Sequence, residues 1–206
     1  MAEPSLPQAS PTIGILALQG AFDAHDRMLR QVGARTVLIR KPEQLDSIDG
    51  LVIPGGESTT FLKHLERAGF FEALSEFTQS RPTFGTCAGV ILLAKRVLNP
   101  SQRSLDALDV TIERNAYGRQ NESRILEAET SLPGGPIEMV YIRAPRITEI
   151  GPGVEILAER DGAPTLVRQG HLLAATFHPE LSHDTRVHRL FVDGIAPDSL
   201  ASDVPR

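Results

Sequence analysis

The stretch Phe84-Gly85-Thr86-Cys87-Ala88-Gly89 decides the fold of this chain. The apolar residues before it predict a buried strand, and the run from Val90 to Ala94 predicts a helix. The only cysteine of the protein then lies at the sharp turn between strand and helix, flanked by two glycines. This is the layout of a nucleophile elbow with a thiol in place of a hydroxyl. It predicts a reactive Cys87 at the end of a strand.

A second motif, Phe177-His178-Pro179-Glu180, supplies the other groups that nucleophilic catalysis needs. His178 is the candidate general base, and Glu180 is the candidate residue that orients the imidazole. Proline restricts the backbone, and alternate residues of an extended segment point the same way, so the two side chains are expected on one side. Alone, a cysteine is more often structural and a His-Pro-Glu triplet is more often at the surface. The two motifs together favour catalysis.

Backbone N–H groups near Cys87 are candidates for an oxyanion hole. The N–H of Ala88, which directly follows the nucleophile, is the first candidate. Gly55 and Gly56, which follow another predicted strand, are candidates for the second donor, because glycine lets the backbone approach a substrate closely. Alone, the Pro54-Gly55-Gly56 triplet would indicate only a turn.

The chain alternates between strands and helices up to the cysteine. Strands are predicted over 12–18, 36–39, 50–53 and 82–85, and helices between 20 and 33, over 58–68 and over 71–78. This order predicts an α/β fold of three layers, with a mainly parallel central sheet and helices on both faces. Reactive groups are then expected at the carboxyl ends of the strands.

The second half of the sequence has a different pattern. Short β-like runs occur at 110–112, 124–128, 137–142, 154–158, 165–168 and 172–177, before a helical pattern at 184–192. Such runs predict antiparallel additions to the sheet. Residues 12–194 are expected to form a single domain, with 1–11 as a disordered lead-in and 195–206 as a loose tail.

Composition narrows the classes of function. The chain of 206 residues is 41% hydrophobic and 23% charged, as for a soluble single domain. A net charge of -5 without a basic run argues against nucleic acid, and no apolar stretch is long enough to span a membrane. The N-terminus lacks the pattern of a signal peptide. A single cysteine suits a reducing compartment, so a cytoplasmic location is expected.

The other histidines are interpreted as non-catalytic. His25 and His64 lie in predicted helices and are expected at the surface or its boundary, while His183 and His188 lie on or near the final helix. Their spacing to cysteine and carboxylates does not indicate a metal site. Neither a metal nor a cofactor is expected.

The two motifs together resemble those of the class I (triad) glutamine amidotransferases. Further stretches are similar to one branch, the glutaminase subunits of pyridoxal 5'-phosphate synthase. These stretches are Ile15 to Gly20, Pro54 to Thr60, Arg114 to Gln120, Tyr141 to Pro145 and Ala175 to Leu181. The resemblance covers about 12–194. The Gly56-to-Thr60 and Arg114-to-Gln120 stretches are more specific than the triad itself.

The resemblance implies a class I amidotransferase fold and hydrolysis of L-glutamine to glutamate and ammonia. Cys87 would be the nucleophile, His178 the base and then the acid, and Glu180 the residue that orients His178, with a glutamyl thioester as the intermediate. Ammonia would pass to a separate synthase subunit that makes pyridoxal 5'-phosphate. L-Glutamine and that subunit are therefore the expected partners.

The same resemblance implies the glutamine contacts, which are Gly55, Gly56, Glu57, Arg114, Ile142 and Arg143. The fork of Arg114 or Arg143 suits an α-carboxylate, and Glu57 suits an α-ammonium. Two alternatives stay open. One is a free-standing cysteine hydrolase of γ-glutamyl bonds, and the other is a catalytically silent binding subunit that kept the fold.

Overall fold

The computed structural model describes residues 10–114 and 124–195. Most of the predicted lead-in, the tail after Ile195 and the stretch Asn115 to Gln120 lie outside the described residues. Within the described ranges, no helix is long and apolar enough to cross a membrane.

The first half of the domain alternates between strands and helices, as predicted. Its elements are β1 (Thr12–Leu16), α1 (Phe22–Gln31), β2 (Arg35–Ile39), β3 (Gly50–Ile53), α2 (Ser58–Arg67), α3 (Phe70–Ser80), β4 (Thr83–Thr86) and α4 (Ala88–Leu93). A 3₁₀ turn over Pro42–Ser47 precedes β3. Gly33, with a φ of +93°, ends the α1 region in the left-handed conformation that glycine tolerates best.

The second half is mostly short strands. They are β5 (Ala94–Leu98), β6 (Leu108–Glu113), β7 (Arg124–Ala128), β8 (Ile137–Tyr141), β9 (Arg146–Ile150), β10 (Glu155–Arg160), β11 (Ala163–Gln169) and β12 (Leu172–Ala175), followed by α5 (Arg186–Asp193). The sequence did not predict β5 or β9. Strand β5 follows α4 without a turn signal, and β9 buries only Ile147, so neither shows a usable pattern.

The central sheet has seven strands in the order β10-β11-β12-β4-β3-β1-β2. The five strands from β12 to β2 are parallel, whereas β10 and β11 are antiparallel additions at one edge. The predicted α/β class is confirmed. A three-stranded sheet, β5-β6-β9, and the β7-β8 hairpin complete the described structure. This order makes the carboxyl ends of β3, β4 and β12 neighbours.

Alternate residues of the parallel strands face two separate apolar layers. Leu51 and Ile53 pack into the cluster covered by α2, α3 and α4, and Val52 packs into the cluster covered by α1 and α5. Burying one such side chain stabilises the fold by about 2 kcal/mol. Because both faces are covered, these strands are apolar throughout, which is why the sequence predicted them well.

Helix α4 lies unusually close to the sheet. A Cβ atom on Gly89 would collide with the carbonyl oxygen of Ile53 in β3. Glycine at this position therefore allows the start of α4 to approach the strand. This close packing fixes the position of Cys87, which lies at the turn into α4.

Candidate active site

Three neighbouring parallel strands bring the predicted motifs to one edge of the sheet. The loop after β3 carries Gly55 and Gly56, the turn after β4 carries Cys87, and the segment after β12 carries His178 and Glu180. Sites in sheets of this kind form beyond the carboxyl ends of the strands.

Cys87 occupies a strained turn. Its φ of 48° and ψ of −104° lie outside the regions that L-residues favour, at a typical cost of about 1–3 kcal/mol. Its N–H donates to the carbonyl oxygen of Ala175 at 2.9 Å, and its own carbonyl accepts the N–H of Val90 at 3.1 Å. These bonds tie the turn to β12 and α4. Cys87 is only 6% exposed.

His178 is held from two directions. Its backbone N–H donates to the carbonyl oxygen of Val140 at 2.8 Å, and its Nδ1 lies 2.8 Å from Oε1 of Glu180. A carboxylate only accepts, so Nδ1 carries the hydrogen and Nε2 serves Cys87. Burial lowers the pKa of His178, but hydrogen bonds with Cys87 and Glu180 outweigh burial and raise it to about 10.

The pairing of His178 with Glu180 is present, but the predicted extended geometry is wrong. Pro179–Leu181 forms a 3₁₀ turn, in which the N–H of Leu181 donates to the carbonyl oxygen of His178 at 3.1 Å. The proline starts this turn, where its missing N–H is not needed. The turn folds the carboxylate of Glu180 back onto the imidazole.

The loop at Gly55 packs directly on Cys87 and His178. A Cβ atom there would lie 2.5 Å from Cε1 of His178 and 3.1 Å from Cβ of Cys87. The N–H of Gly55, predicted as an oxyanion donor, donates instead to Oγ1 of Thr86 at 3.1 Å. Thr86 ends β4 and presents its hydroxyl to this loop, so the Gly55 N–H is engaged here and its oxyanion role stays a prediction.

The other two predicted oxyanion donors are the N–H groups of Gly56 and Ala88. The carbonyl oxygen of Gly55 faces Gly20, where a Cβ atom would collide with it, so the N–H of Gly56 in the same trans peptide points the opposite way. Ala88 is the first residue of α4, and its N–H has no partner within the helix.

Opposite charges meet at the rim of the site. The carboxylate of Glu57 caps α2 by accepting the N–H groups of Thr59 at 2.9 Å and Thr60 at 2.7 Å. The hydrogen bond from Thr60 is the largest cause that lowers the pKa of Glu57, to about 2. Nη2 of Arg114 donates to Oγ1 of Thr59 at 2.8 Å and lies 3.9 Å from Oε1 of Glu57. A fixed anion beside a guanidinium suits a zwitterionic amino acid.

Ile142 and Arg143 directly follow β8, close to the anchor of His178. Val140, two residues before Ile142, is the residue whose carbonyl accepts the His178 N–H. Both side chains are exposed, and Arg143 has a φ of 47°. The structure thus places this predicted contact segment at the surface, directly after the strand that anchors the backbone of His178.

The prediction that His25 lies at the surface is wrong, whereas His64 is exposed as expected. His25 and His188 are both fully buried, with Nδ1 of His25 3.0 Å from Nε2 of His188. Nε2 of His25 lies 3.2 Å from Oγ1 of Thr86 and 3.5 Å from Oε2 of Glu180. The sequence held a signal for this, because His25 shares a helical face with the apolar residues at i+3 and i+4, Met28 and Leu29.

Among the described residues, no group of three or more histidine, cysteine or acidic side chains could hold a metal ion.

The fold is that of the glutamine amidotransferases. A solved structure described as a crystal structure of glutamine amidotransferase superposes with a TM-score of 0.83 and 42% identity, covering 89% of this chain and 98% of that one. The chain belongs to the SNO glutamine amidotransferase family, whose model matches residues 15–196. The resemblance inferred from the motifs is confirmed.

Relatives with high identity carry one name. The chain is 67% identical over 180 residues to pyridoxal 5'-phosphate synthase subunit PdxT of Koribacter versatilis, covering 87% of this chain and 93% of the relative. It is 50% identical over 183 residues to the subunit of the same name from Thermotoga maritima, covering 88% and 97%. PurLQS from Thermotoga maritima, at 12% identity and a TM-score of 0.60, shares the fold alone.

Proposed function

We propose that this chain is a glutaminase that hydrolyses L-glutamine to glutamate and ammonia. The observation that carries the proposal is the contact between the His178 imidazole and Cys87 on a strained turn, with Glu180 holding the other ring nitrogen. Nucleophile, base and orienting acid are the parts that a thiol hydrolase needs. Family membership supplies the amide as the bond that is cleaved.

In the first half of the reaction, the thiolate of Cys87 attacks the carboxamide carbon of glutamine. The N–H groups of Ala88 and Gly56 stabilise the negative charge that develops on the carbonyl oxygen. His178 gives its Nε2 proton to the departing nitrogen, and the C–N bond breaks. A glutamyl thioester and ammonia result.

In the second half, water cleaves the thioester. His178, now neutral, takes a proton from water as the oxygen attacks the thioester carbon. The C–S bond breaks, glutamate leaves, and the thiolate–imidazolium pair is restored. One water is consumed in each cycle. Glu180 keeps Nδ1 protonated and the ring in place during both steps.

The rim residues account for recognition of free glutamine. Glu57 stays ionised because two backbone N–H groups stabilise its carboxylate, so it suits the α-ammonium. Arg114 or Arg143 suits the α-carboxylate, and Ile142 lies beside Arg143 directly after β8. Glu57 caps α2 and the guanidinium of Arg114 contacts Thr59 in its first turn, which keeps the two charges at a fixed separation.

The similar subunits named above suggest the destination of the ammonia. We propose that it passes to a separate synthase subunit that makes pyridoxal 5'-phosphate, in the cytoplasm. Residues 12–194 act as one amidotransferase domain in this proposal. The absence of a basic run in the sequence fits a small-molecule substrate and a protein partner.

Glutamate release tests the proposal. The full chain and its Cys87→Ala variant are each assayed with and without the synthase subunit. The proposal expects release by the parent that rises when the synthase is added, and none by the variant. Full activity alone, with cleavage of γ-glutamyl peptides, would instead identify a free-standing hydrolase. Failure of a glutamine-like electrophile to label Cys87 would identify a silent binding subunit.

A further inference from the structure

A pair of buried histidines lies behind the triad, and the proposed reaction uses neither of them. His25 comes from α1 and His188 from α5, so they reach the site from two helices on the same face of the sheet. Burying an imidazole is costly unless its nitrogens find partners. The partners of this pair therefore indicate what holds it in place.

The carboxylate of Glu180 has one oxygen for each of two imidazoles. Oε1 accepts the hydrogen on Nδ1 of His178 at 2.8 Å. Among the described residues, the buried Oε2 makes no hydrogen bond of ordinary length, but Nε2 of His25 lies 3.5 Å from it. The second oxygen is therefore served by His25.

The contacts of the pair select one tautomer. If Nε2 of His25 carries the hydrogen, Oγ1 of Thr86 at 3.2 Å and Oε2 of Glu180 at 3.5 Å are its nearest acceptors, and Nδ1 accepts the hydrogen on Nε2 of His188 at 3.0 Å. Nδ1 of His188, which has no partner in the described structure, is then only an unused acceptor. The opposite tautomer would bury an unpaired N–H on His188 and leave Oε2 without a donor, which is the costlier arrangement.

His25 is also linked to the loop at Gly55 through Thr86. Its Nε2 lies 3.2 Å from Oγ1 of Thr86, and the same oxygen accepts the N–H of Gly55 at 3.1 Å. A single buried ring thus contacts the group that orients the base and the group that holds the loop. Displacing it would move both.

We propose that His25 is a positioning residue of the site, which directs its Nε2 hydrogen at Glu180 and Thr86, with His188 fixing the tautomer. The inference rests on the proposed glutaminase function. His25 touches neither the thiol nor the amide; it acts through Glu180 on His178 and through Thr86 on Gly55.

The pKa directions of His25, His188 and Glu180 fit a neutral His25 that donates a hydrogen bond to an ionised Glu180. Burial is the largest cause that lowers the pKa of His25, and burial followed by His25 lowers that of His188 to about 3. Burial raises the pKa of Glu180, but His25 and then His178 lower it by more, so the carboxylate is ionised. A neutral N–H supports this anion without cancelling the charge that His178 needs.

Some of the groups packed around His25 can change their charge with pH, and others cannot. The titratable groups that face it are Glu180 and His178 from the segment after β12 and His188 from α5. From β4 it meets Thr86 and the ring of Phe84, neither of which titrates. Asp26, its neighbour on α1, instead accepts from Arg30 and Thr36.

Two substitutions separate the hydrogen-bond donor from the bulk of the ring. His25→Leu removes the donor, whereas His25→Gln places an amide nitrogen the same number of bonds from Cα as Nε2. With the full chain and added synthase, we expect His25→Leu to lower kcat about tenfold to a hundredfold with KM within about twofold. His25→Gln should restore most of kcat.

The pH profile supplies a readout that packing alone would not move. Removing the His25 donor removes one of the interactions that lower the pKa of Glu180, so the acidic limb of kcat/KM should shift to higher pH in His25→Leu and return in His25→Gln. Leu29→Ala, a cavity on the same helix, should lower the melting temperature without shifting that limb. His64→Leu, at an exposed histidine, should change neither.

Other outcomes overturn the inference. These are an unmoved acidic limb in His25→Leu, or a His25→Gln variant no better than His25→Leu. If His25→Leu does not fold, His25→Gln and His188→Leu carry the test, the latter with a smaller shift in the same direction. Failure of the parent to release glutamate would refute the proposed function instead. The pH dependence of Cys87 alkylation, which needs no glutamine, then still tests the role of His25.

Discussion

The two sides of the candidate site differ sharply in their access to water. Toward α1 and α5, Glu180 is 4% exposed and His25 and His188 are fully buried. Toward the rim, the side chain of Glu57 is 60% exposed, and Ile142 is 41% exposed. Water can replace a hydrogen bond lost on the rim but not one lost on the buried side. We therefore expect buried changes to lower kcat and rim changes to raise KM.

Glu180→Gln should have the largest effect, because it keeps the shape but removes the charge on the buried side. The amide can present an N–H to Nδ1 of His178 and select the wrong tautomer. We expect kcat to fall about 10³-fold to 10⁴-fold with little change in KM. Steady-state glutamate release with synthase measures it. Glu155→Gln, at an exposed acid paired with Arg168, is the control that should stay fully active.

Gly55→Ala should have the next largest effect, at the border between the two sides. The added Cβ would press on Cε1 of His178 and Cβ of Cys87, so the two reacting side chains must move apart. A displacement of about 1 Å costs about 10²-fold in rate. Gly33→Ala, where a Cβ meets no atom within 4 Å but φ is +93°, should lower stability and leave kcat unchanged. Equal activity of both variants would contradict the geometry.

Acid should destabilise the buried side. His188 has a folded pKa of about 3, below its unfolded value of 6.5, so between these values only the unfolded chain gains the proton. Stability is therefore lost as pH falls through this window, by up to about 1 kcal/mol per pH unit. Urea unfolding between pH 4 and 6.5 should show a shallower slope for His188→Leu than for the parent. An identical slope would mean that His188 does not stay neutral in the folded state.

Arg114→Lys should have the smallest effect, because it tests the rim. Lysine keeps the charge but cannot form the fork that suits a carboxylate. We expect KM for glutamine to rise about tenfold and kcat to stay within about twofold. Arg30→Lys, in an exposed ion pair with Asp26, is the matched control. A fall in kcat at constant KM would place Arg114 with the buried side instead.

Burial also explains which parts of the fold and the site the sequence could predict. Strands β3 and β4 are covered on both faces, so their apolar runs predicted the sheet edge that carries Gly55 and Cys87. Strand β9 was missed because its pairing with β6 depends on the folded structure. The motifs predicted that His178 meets Glu180, although the connecting backbone is a turn. The engagement of the Gly55 N–H by Thr86 is a contact between a loop and the end of β4, which no local pattern encodes.

The contact between His25 of α1 and His188 of α5 joins residues that are far apart in the sequence, and this has a consequence for synthesis of the protein. His25 emerges from the ribosome early, whereas His178, Glu180 and His188 emerge last among the groups that surround Cys87. A nascent chain therefore carries its sulfur without the imidazole and the buried pair that complete the site. The order of translation leaves the thiol without its imidazole partner until nearly the whole domain is outside the exit tunnel.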